Sequence, residues 1–309
     1  MDIITLTLSP AFDMHCSGAL VLNHENLIQM DLCQAGGKGV NISRALGSVA
    51  CANTAVLLLG EENADSFLRS LSADGVCAEV VTVPGRIREN ITIHTPDGKE
   101  TRISFPGFAV DAHVLSRVTA LLEDKLGANT ALTMTGRVPE GMALSEVKTF
   151  LRYAAERGTK VVVDSRSFGY DDLLAVKPWL IKPNQEEISA YLGENVESME
   201  QAAQAATKLH QQGIANVLVS MGGLGAVLAC DEGLFRAEIP QVQVRSTIGA
   251  GDSSVAGFLA ATGEGADAGE CLRRAVAFGT AACMTEGTLP PRQADIELVY
   301  SKTTVQKIG

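Results

Sequence analysis

The sequence predicts an α/β fold in which helices flank a mainly parallel β-sheet. Short apolar runs rich in Val, Leu and Ala alternate with segments of helical period along most of the chain, which is typical of strands buried on both faces of a parallel sheet. In addition, 46% of the 309 residues are apolar, enough for one large core or two modest ones. We expect a single domain over residues 1–309.

The predicted strands and helices follow one another in a β-α-β rhythm. Residues 3–8 alternate apolar side chains with threonines and end before Pro10, so they predict the first strand. Further strands are predicted over residues 54–59, 76–83, 131–134, 160–164, 180–182, 217–220, 226–230 and 235–239. Helices are predicted over residues 40–46, 65–74, 111–126, 144–157, 185–192, 198–212, 255–261 and 271–286.

Residues 86–105 interrupt this rhythm. Two runs rich in β-forming residues, 87–95 and 100–104, flank the turn PDGK, a pattern that predicts a hairpin. Residues 14–33 show short apolar stretches and little helical period. We therefore expect strands or loops outside the main sheet in both regions.

Composition and charge exclude several classes of partner. The formal net charge of -11 argues against nucleic acid, which is bound through an excess of Lys and Arg. The seven cysteines include no CxxC pair and fit reduced thiols in a cytoplasmic protein. No basic region precedes the first apolar run, and no apolar stretch reaches membrane-spanning length without polar interruption. We therefore expect neither secretion nor a membrane partner.

The stretch TIGAGDSSVAG, residues 247–257, carries the strongest indication of chemistry. Gly249, Ala250 and Gly251 leave the backbone free to turn tightly and to direct N–H groups at an anion, and a helix start favours phosphate at the same point. Asp252 would repel that anion, so it is better explained as a base that takes a proton from an attacking hydroxyl. The stretch therefore indicates phosphoryl transfer to an alcohol. The alternative is that Asp252 only caps the helix.

A second glycine-rich stretch, AGGKGVNISRALG (residues 35–47), can form the wall of a sugar site. Its glycines allow close backbone approach, while Lys38 and Asn41 can donate hydrogen bonds to a polyhydroxyl ligand. Asp13 follows the first predicted strand, at the end where ligands bind in open α/β sheets, and could hold sugar hydroxyls. The alternatives are a helix packed tightly on the sheet through glycine, and an aspartate that only forms a turn.

Three arginines of the predicted hairpin suggest that the substrate carries a phosphate. Arg86, Arg88 and Arg102 offer the planar fork of donors that suits phosphate; the alternative is solvated charges on an exposed strand. Asn184 and Glu187 lie one helical turn apart. Their oxygens could hold a hydrated magnesium ion or form a capping box.

Four motifs, in this order along the chain, resemble those of the PfkB carbohydrate kinases, also called the ribokinase-like family. They are GGKGVN (36–41), KPNQEE (182–187), MGGLGA (221–226) and TIGAGDSSVAGF (247–258). LSPAFD near the N-terminus and RIRENITI in the hairpin resemble the phosphofructokinase branch, whose substrates already carry a phosphate. The resemblance implies a ribokinase-like three-layer fold with a mainly parallel central sheet. It also implies a small β lid, with strands within about 11–33 and 86–107.

The resemblance further implies a role for each matching residue. Asp252 matches the catalytic base, and Gly249, Ala250 and Gly251 match the anion hole. The positions that match contacts to the sugar or its phosphate are Asp13, Gly37, Lys38, Asn41 and Arg88. The positions that match the nucleotide site are Asn184, Ser220, Gly222, Gly223, Gly225, Thr247 and Gly251. Asn184 and Glu187 match the element near magnesium.

This chain departs from the family pattern near the sugar. Ser9 stands where relatives usually have Asn, and Ser104 stands where they have a second polar sugar contact. Arg137 and Arg166 lie in TGRVP and DSRS, where the branch usually reads SGSLP and DTSG. The two additional arginines could bind phosphate in a different place, pair with acidic neighbours or point to solvent. We include Ser104 and Arg137 among the candidate substrate contacts.

The resemblance implies a sugar kinase that uses ATP and Mg2+ and forms a homodimer through its lid. We expect a phosphosugar substrate, first fructose 1-phosphate converted to fructose 1,6-bisphosphate, with tagatose 6-phosphate or fructose 6-phosphate as alternatives. An enzyme of the ribokinase or fructokinase type, acting on a neutral sugar or nucleoside, would leave the hairpin arginines without an anionic target. A sugar or nucleotide sensor without turnover is the non-enzyme alternative, and the intact Asp252 argues against it.

Overall fold

The computed structural model describes residues 1–309. The strands are β1 (Asp2–Thr7), β2 (Ala11–Ser17), β3 (Gln29–Gly36), β4 (Thr54–Gly60), β5 (Ala78–Val83), β6 (Arg88–His94), β7 (Glu100–Ser104), β8 (Thr130–Thr135), β9 (Lys160–Asp164), β10 (Leu180–Ile181), β11 (Asn216–Ser220), β12 (Ala226–Cys230), β13 (Gly233–Glu238) and β14 (Thr304–Lys307). The helices are α1 (Lys38–Gly47), α2 (Ala64–Ala73), α3 (Val114–Leu122), α4 (Leu144–Glu156), α5 (Tyr170–Val176), α6 (Gln185–Leu192), α7 (Met199–Gln211), α8 (Ala250–Gly263), α9 (Ala268–Ala282) and α10 (Gln293–Lys302).

The larger of two sheets has ten strands in the order β14-β13-β12-β11-β10-β9-β8-β1-β4-β5. From β5 to β11 every neighbouring pair is parallel, and β12 to β14 extend one edge with antiparallel pairs. The predicted α/β architecture with a mainly parallel sheet is therefore confirmed. None of the ten helices combines the length and the apolarity that crossing a membrane requires.

Apolar side chains on the two faces of this sheet form two separate cores. Successive residues of a strand point to opposite faces, so Leu6 and Met134 face one core while Ile3 and Ala131 face the other. The first core packs mainly against α2 to α7. The second packs against α1, α8, α9 and α10. Helices on both faces give the three-layer arrangement that the sequence predicts.

The smaller sheet has four strands in the order β3-β2-β6-β7. It arises from the two regions that the sequence sets apart from the α/β rhythm, and its β6-β7 hairpin is antiparallel. Strand β2 joins the two regions because it pairs with both β3 and β6. Residues 18–28, which connect β2 to β3, expose apolar side chains, most of all Leu22 and Leu27, at 81% and 98% of their surface. This sheet lies outside both cores of the main sheet for most of its length.

The sequence patterns do not predict α5, α10 or β14. Helix α5 buries only Leu173 and Val176, and α10 buries only Ile296 and Val299, too few apolar positions for a clear helical stripe. The helix predicted over 271–286 instead begins at Ala268, since the Asp267 side chain accepts a hydrogen bond from the third N–H of α9, as an N-cap does.

Candidate active site

A cleft of about 490 Å³ opens beside the carboxyl ends of β9 and β10, and the small sheet lines part of it. This is the edge at which ligands bind in open α/β sheets. The cleft collects most of the residues that the sequence singles out, namely Asp13, Gly37, Lys38, Asn41, Arg88, Arg137, Asn184, Glu187, Thr247, Gly249, Gly251 and Asp252.

Asp252 lies in the first turn of α8, with 6% of its surface exposed. It does not cap the helix. Its Oδ2 instead accepts a hydrogen bond of 2.8 Å from Asn41 Nδ2. Burial raises the pKa of Asp252 to about 6; Lys38 acts in the opposite direction and Asp164 in the same one. A carboxylate with this pKa is ionised at neutral pH and is a stronger base than an ordinary aspartate.

The chain enters α8 through a turn that leaves backbone donors free. Gly249 has a φ of 80°, in the left-handed region that glycine tolerates. The N–H groups of Gly251 and Asp252 make no backbone hydrogen bond, and no side chain caps the helix. Free N–H groups at the positive end of a helix form a site for an anion. The turn thus has the free donors that the predicted anion hole requires.

Two lysines flank the turn and a second buried carboxylate, Asp164. Lys38 Nζ lies 2.9 Å from Asp164 Oδ1. Lys182 is buried, and a Cβ at Gly251 would lie 2.8 Å from its Nζ, so the glycine leaves room for the ammonium group. Burial acts to raise the pKa of Asp164, but Lys182 and Lys38 hold it below its usual value. Two cations therefore stand where a phosphate would meet the anion hole.

Asp13 lies in the small sheet, within β2, rather than at the end of the first strand as the sequence suggests. Asn90 Nδ2, in β6, donates a hydrogen bond of 3.0 Å to Asp13 Oδ1. Burial raises the pKa of Asp13, although Asn90 opposes the shift. A side chain at Gly36 would collide with the Asp13 carboxylate. The carboxylate is therefore held in one orientation at the edge of the cleft.

Arg88 and Arg137 form a cationic end of the cleft. Arg88 Nε and Nη2 lie 3.4 Å from the carbonyl oxygens of Pro10 and Ser9. Burial and the nearby charge of Arg137 both lower the pKa of Arg88, whereas Asp13 raises it. No carboxylate forms an ion pair with either arginine. Two neighbouring guanidinium groups without an acidic partner favour an anionic ligand between them.

Of the other predicted arginines and Ser104, the structure places two arginines in the cleft and leaves Arg86 and Ser104 outside it. Ser104 is exposed in β7 and does not line the cleft. Arg86 precedes β6, lies outside the cleft and pairs with Glu89 at 2.7 Å. Arg102 lines the cleft from β7, and Arg166 lines it from the end of β9. The prediction that Ser104 contacts the sugar therefore has no support in the geometry.

Asn184 and Glu187 form a capping box at the start of α6. Asn184 Oδ1 accepts from the Glu187 N–H at 2.8 Å, and Glu187 Oε2 accepts from the Asn184 N–H at 3.1 Å. Glu187 Oε1 is left on the cleft side, 3.9 Å from Arg166 Nε. No group of three or more His, Cys, Asp or Glu side chains could hold a metal ion alone. The donor set fits Mg2+ only as an ion that keeps water and phosphate ligands.

A second cavity, of about 150 Å³, shares Gly251 with the cleft. Its lining includes the predicted nucleotide residues Ser220, Gly222 and Gly225 and the apolar side chains Ile239, Val242 and Val276. Gly223 is exposed and does not line it. A narrow apolar cavity beside an anion site suits a flat ring attached to phosphates. The adjoining cavities can thus hold the two ends of a nucleotide.

Sequence reasoning assigned no role to four residues that line the cleft: Asn90, Asp164, Lys182 and Thr288. Asp164 ends a strand and Lys182 follows one, so their positions at strand ends were a usable signal. Asn90 lies on the predicted hairpin, but only the structure shows that its side chain holds the Asp13 carboxylate. Nothing in the sequence around Thr288 indicates that it reaches the cleft.

The sequence matches the family model described as pfkB family carbohydrate kinase over residues 23–295. The chain belongs to this family, as the resemblance of its four motifs implies. It is therefore a carbohydrate kinase, a phosphotransferase that acts on sugars.

Individual relatives carry more specific names. The 1-phosphofructokinase of Rhodobacter capsulatus is 33% identical over 295 residues, which cover 94% of this chain and 93% of that protein. The 1-phosphofructokinase of Vibrio cholerae serotype O1 is 31% identical over 260 residues, covering 83% of this chain and 81% of the relative. Among solved structures, phosphofructokinase-2 from Escherichia coli, in complex with substrates and products, has a TM-score of 0.90 at 26% identity and covers 98% of this chain. The ribokinase-like fold is thereby confirmed.

Proposed function

We propose that this kinase transfers the γ-phosphoryl group of ATP to the free primary hydroxyl of fructose 1-phosphate and so forms fructose 1,6-bisphosphate. The observation that carries the proposal is one cleft with a buried base and free N–H groups at one end and two arginines without carboxylate partners at the other. Relatives that are 31% and 33% identical and are named 1-phosphofructokinase support the same substrate.

Asp252 acts as the general base. Asn41 holds its Oδ2, which leaves Oδ1 to accept the proton of the sugar hydroxyl. The proton moves to Asp252 as the hydroxyl oxygen forms its bond to the γ-phosphorus and the bond from that phosphorus to ADP breaks. A pKa of about 6 makes the carboxylate basic enough to assist while it stays ionised at neutral pH.

The α8 turn and two lysines stabilise the charge of the transferred group. The N–H groups of Gly251 and Asp252 are free to donate to phosphoryl oxygens, and Lys182 and Lys38 lie beside them. Most of the rate of phosphoryl transfer comes from such positioning and electrostatic stabilisation. When bound, Mg2+ supplies further charge neutralisation on the phosphates, and Glu187 Oε1 is the protein atom available to hold its water shell.

The two partnerless arginines select a substrate that is already phosphorylated. Arg88 is half buried and lies close enough to Arg137 for its pKa to fall, so an unliganded site keeps two like charges together. A phosphate at this end relieves the repulsion and forms charge-assisted hydrogen bonds. A neutral sugar supplies neither effect. For this reason we place the phosphate of the substrate at Arg88 and Arg137 and its hydroxyl end at Asp252.

The chain forms a single domain over residues 1–309, and its small sheet acts as a lid over the sugar. The same sheet joins two copies of the chain. Exposed apolar side chains in and beside it include Met30 in β3, Val21, Leu22 and Leu27 in the connection from β2 to β3, and Phe105 after β7. Exposed apolar side chains of this kind favour a partner surface, and a second copy of the chain offers the same side chains. Light scattering at two protein concentrations tests the homodimer, which a monomeric mass at both would contradict.

We assign the protein to the cytoplasm. All seven cysteines are free thiols in the structure, and reducing compartments preserve such thiols. A fusion with a fluorescent protein in the source cell tests this assignment, and export of the fusion would contradict it.

ADP release with Mg2+ and ATP, measured against a panel of acceptors, tests the proposed reaction. The panel contains fructose 1-phosphate, fructose 6-phosphate, tagatose 6-phosphate, fructose, ribose and adenosine. We expect the highest kcat/KM for fructose 1-phosphate and little activity on the neutral compounds. Preference for another phosphosugar would support phosphate binding by Arg88 and Arg137 but would change the identity of the sugar. Preference for a neutral acceptor would contradict the role of Arg88 and Arg137.

A further inference from the structure

A loop that the reaction above does not use lies between the small sheet and the anion hole. Residues 283–289, here called the linking loop, follow α9 and contact both regions. Thr288 of this loop lines the catalytic cleft and has no part in the proton transfer or in phosphate binding as described. Its contacts connect the two ends of the cleft through the protein rather than through the substrate.

Two neighbouring strands of the small sheet contact the linking loop. Gln34 Nε2, in β3, donates a hydrogen bond to Thr288 Oγ1, and the two residues are buried, at 7% and 6% exposure. In β2, His15 lies against Gly287, where a Cβ would be 3.0 Å from His15 Nε2. Gly287 has a φ of 57°, a conformation that favours glycine. The loop and the small sheet are thus closely packed around one buried hydrogen bond.

The same loop borders the chain that enters the anion hole. The N–H groups of Arg245 and Ser246 donate to the Cys283 carbonyl oxygen at 2.8 and 3.4 Å. At the other end of the loop, Thr288 Cα lies 4.0 Å from the position of a Cβ on Gly249, the residue that turns the chain into α8. A displacement of the loop therefore acts on the turn that presents the free N–H groups.

Internal hydrogen bonds brace the linking loop. The Thr285 hydroxyl lies 2.8 Å from the Ala282 carbonyl oxygen and 2.9 Å from that of Leu289, and it can donate to either. The Leu289 N–H donates to the Glu286 carbonyl oxygen at 3.2 Å. A braced loop transmits a shift at Thr288 to its other end instead of absorbing it.

We propose that Gln34 and Thr288 are positioning residues that couple the lid to the anion hole. Gln34 is the register partner of Asp13 across β2 and β3, so a sugar held by Asp13 fixes the strand that carries Gln34. Through the Gln34–Thr288 hydrogen bond, the same event orders the turn at Gly249 and raises the affinity for the nucleotide. This inference takes the identity of the sugar from the proposed function. The Gln34–Thr288 contact does not depend on that function.

The test is a double-mutant cycle on full-length protein. The affinity for AMP-PNP with Mg2+ is measured by calorimetry without and with saturating fructose 1-phosphate, and the ratio is the coupling factor. We expect a factor of at least about five in the wild type. It falls below about two in both Thr288→Val and Gln34→Met, and it falls no further in the double variant. Thr288→Ser, which keeps the hydroxyl, retains the coupling.

Thr303→Val is the matched control, because Thr303 is an equally buried threonine whose hydroxyl bonds to Val299 at the end of α10; it should keep the wild-type factor. A wild type that binds both ligands without coupling would overturn the inference. So would single variants that keep the coupling, or a double variant whose loss is the sum of the two. If Thr288→Val fails to fold, Gln34→Met measures the same loss of the coupling factor.

Failure of the proposed substrate is distinguished by a measurement that needs no sugar. Amide hydrogen exchange of Ala250 and Ser253 in the free protein reports the order of the anion-hole turn, because these N–H groups donate to the Thr247 and Gly249 carbonyl oxygens. We expect exchange to be at least about threefold faster in Thr288→Val and in Gln34→Met than in Thr303→Val. Unchanged exchange would overturn the coupling contact. A wild type that binds no fructose 1-phosphate, with faster exchange in both variants, would overturn only the substrate.

Discussion

Two helix starts face the same cleft and are built in opposite ways. At α6, Asn184 and Glu187 satisfy each other's N–H groups in a closed capping box. At α8, Gly249 turns the chain without any side-chain cap, and the N–H groups of Gly251 and Asp252 make no backbone hydrogen bond. Both helices carry an acidic residue in the first turn. Glu187 stabilises the start of its own helix, whereas Asp252 does not.

This difference shows how an acidic residue at a helix start can be assigned a role. A carboxylate that closes a capping box stabilises the fold, whereas one that is buried and held by a distant residue, as Asp252 is by Asn41, is available for chemistry. The open start keeps its donors for a ligand. The cationic end of the cleft follows the same rule, because Arg88 and Arg137 have no acidic partner in the protein.

The largest effect should come from removing the charge at the open helix start. Asp252→Asn should lower kcat by at least about a hundredfold, because the general base is lost. Binding of the nucleotide should change little, since the backbone donors remain. Steady-state kinetics and calorimetry with AMP-PNP measure the two effects. Turnover close to that of the wild type would remove Asp252 from the role of base.

The next effect concerns the cationic end of the cleft. Arg88→Ala should raise KM for the phosphosugar by about ten- to a hundredfold, because a charge-assisted contact to its phosphate is lost. Any activity on free fructose should change by less than about threefold. Arg86→Ala is the matched control, since Arg86 lies outside the cleft, and it should behave like the wild type. Equal losses on both sugars would contradict phosphate binding by Arg88.

The closed helix start should respond in stability rather than in the base chemistry. Asn184→Ala removes the cap of α6 and should lower the free energy of unfolding by about 1 kcal/mol. Urea denaturation with a shared slope measures this change. An unchanged midpoint would show that the capping box contributes nothing to the fold.

The smallest effect on stability separates the capping role of Glu187 from its proposed role near Mg2+. In Glu187→Gln the side-chain carbonyl oxygen can still accept from the Asn184 N–H, so the free energy of unfolding should change by less than about 0.5 kcal/mol. The Mg2+ concentration for half-maximal rate should rise severalfold, because the negative charge of the carboxylate is lost. Rates titrated against Mg2+ at constant ATP check this, and an unchanged titration would leave Glu187 with the cap alone.

Patterns along the chain could predict most of the fold because the parallel strands are continuous apolar runs. Strands Lys160–Asp164 and Ala226–Cys230 and helix α6 are predicted to the residue. Helices α5 and α10 escape prediction, since each buries only two apolar side chains, too few to define a helical stripe. Local periodicity thus reports burial only where enough neighbouring residues share it.

Within the site, the sequence could indicate residues whose role depends on the local conformation of their own backbone. The turn at Gly249 and the start of α8 are local features, so glycines and an acid in sequence are sufficient to predict them. Asn90 and Thr288 act through side chains 77 and 254 residues away, on Asp13 and Gln34. No local pattern encodes such contacts. Ser104, made a candidate by its position in the family pattern, lies outside the cleft.

We infer that the start of α8 keeps a buried, charged base at the expense of stability. The measurement that tests it most directly is the free energy of unfolding of the wild type and of Asp252→Asn at pH 4 and pH 8. The folded pKa of Asp252, about 6, lies above the ordinary aspartate value of 3.8. The stability linked to this group is therefore present below about pH 4 and is lost as the pH rises through about 6.

Asparagine mimics the protonated acid at every pH. We predict that Asp252→Asn is more stable than the wild type at pH 8 by about 1 to 3 kcal/mol and equally stable at pH 4. A variant that is less stable than the wild type at pH 8 would contradict the account, because the Asp252 carboxylate would then hold the fold together as Glu187 holds the start of α6.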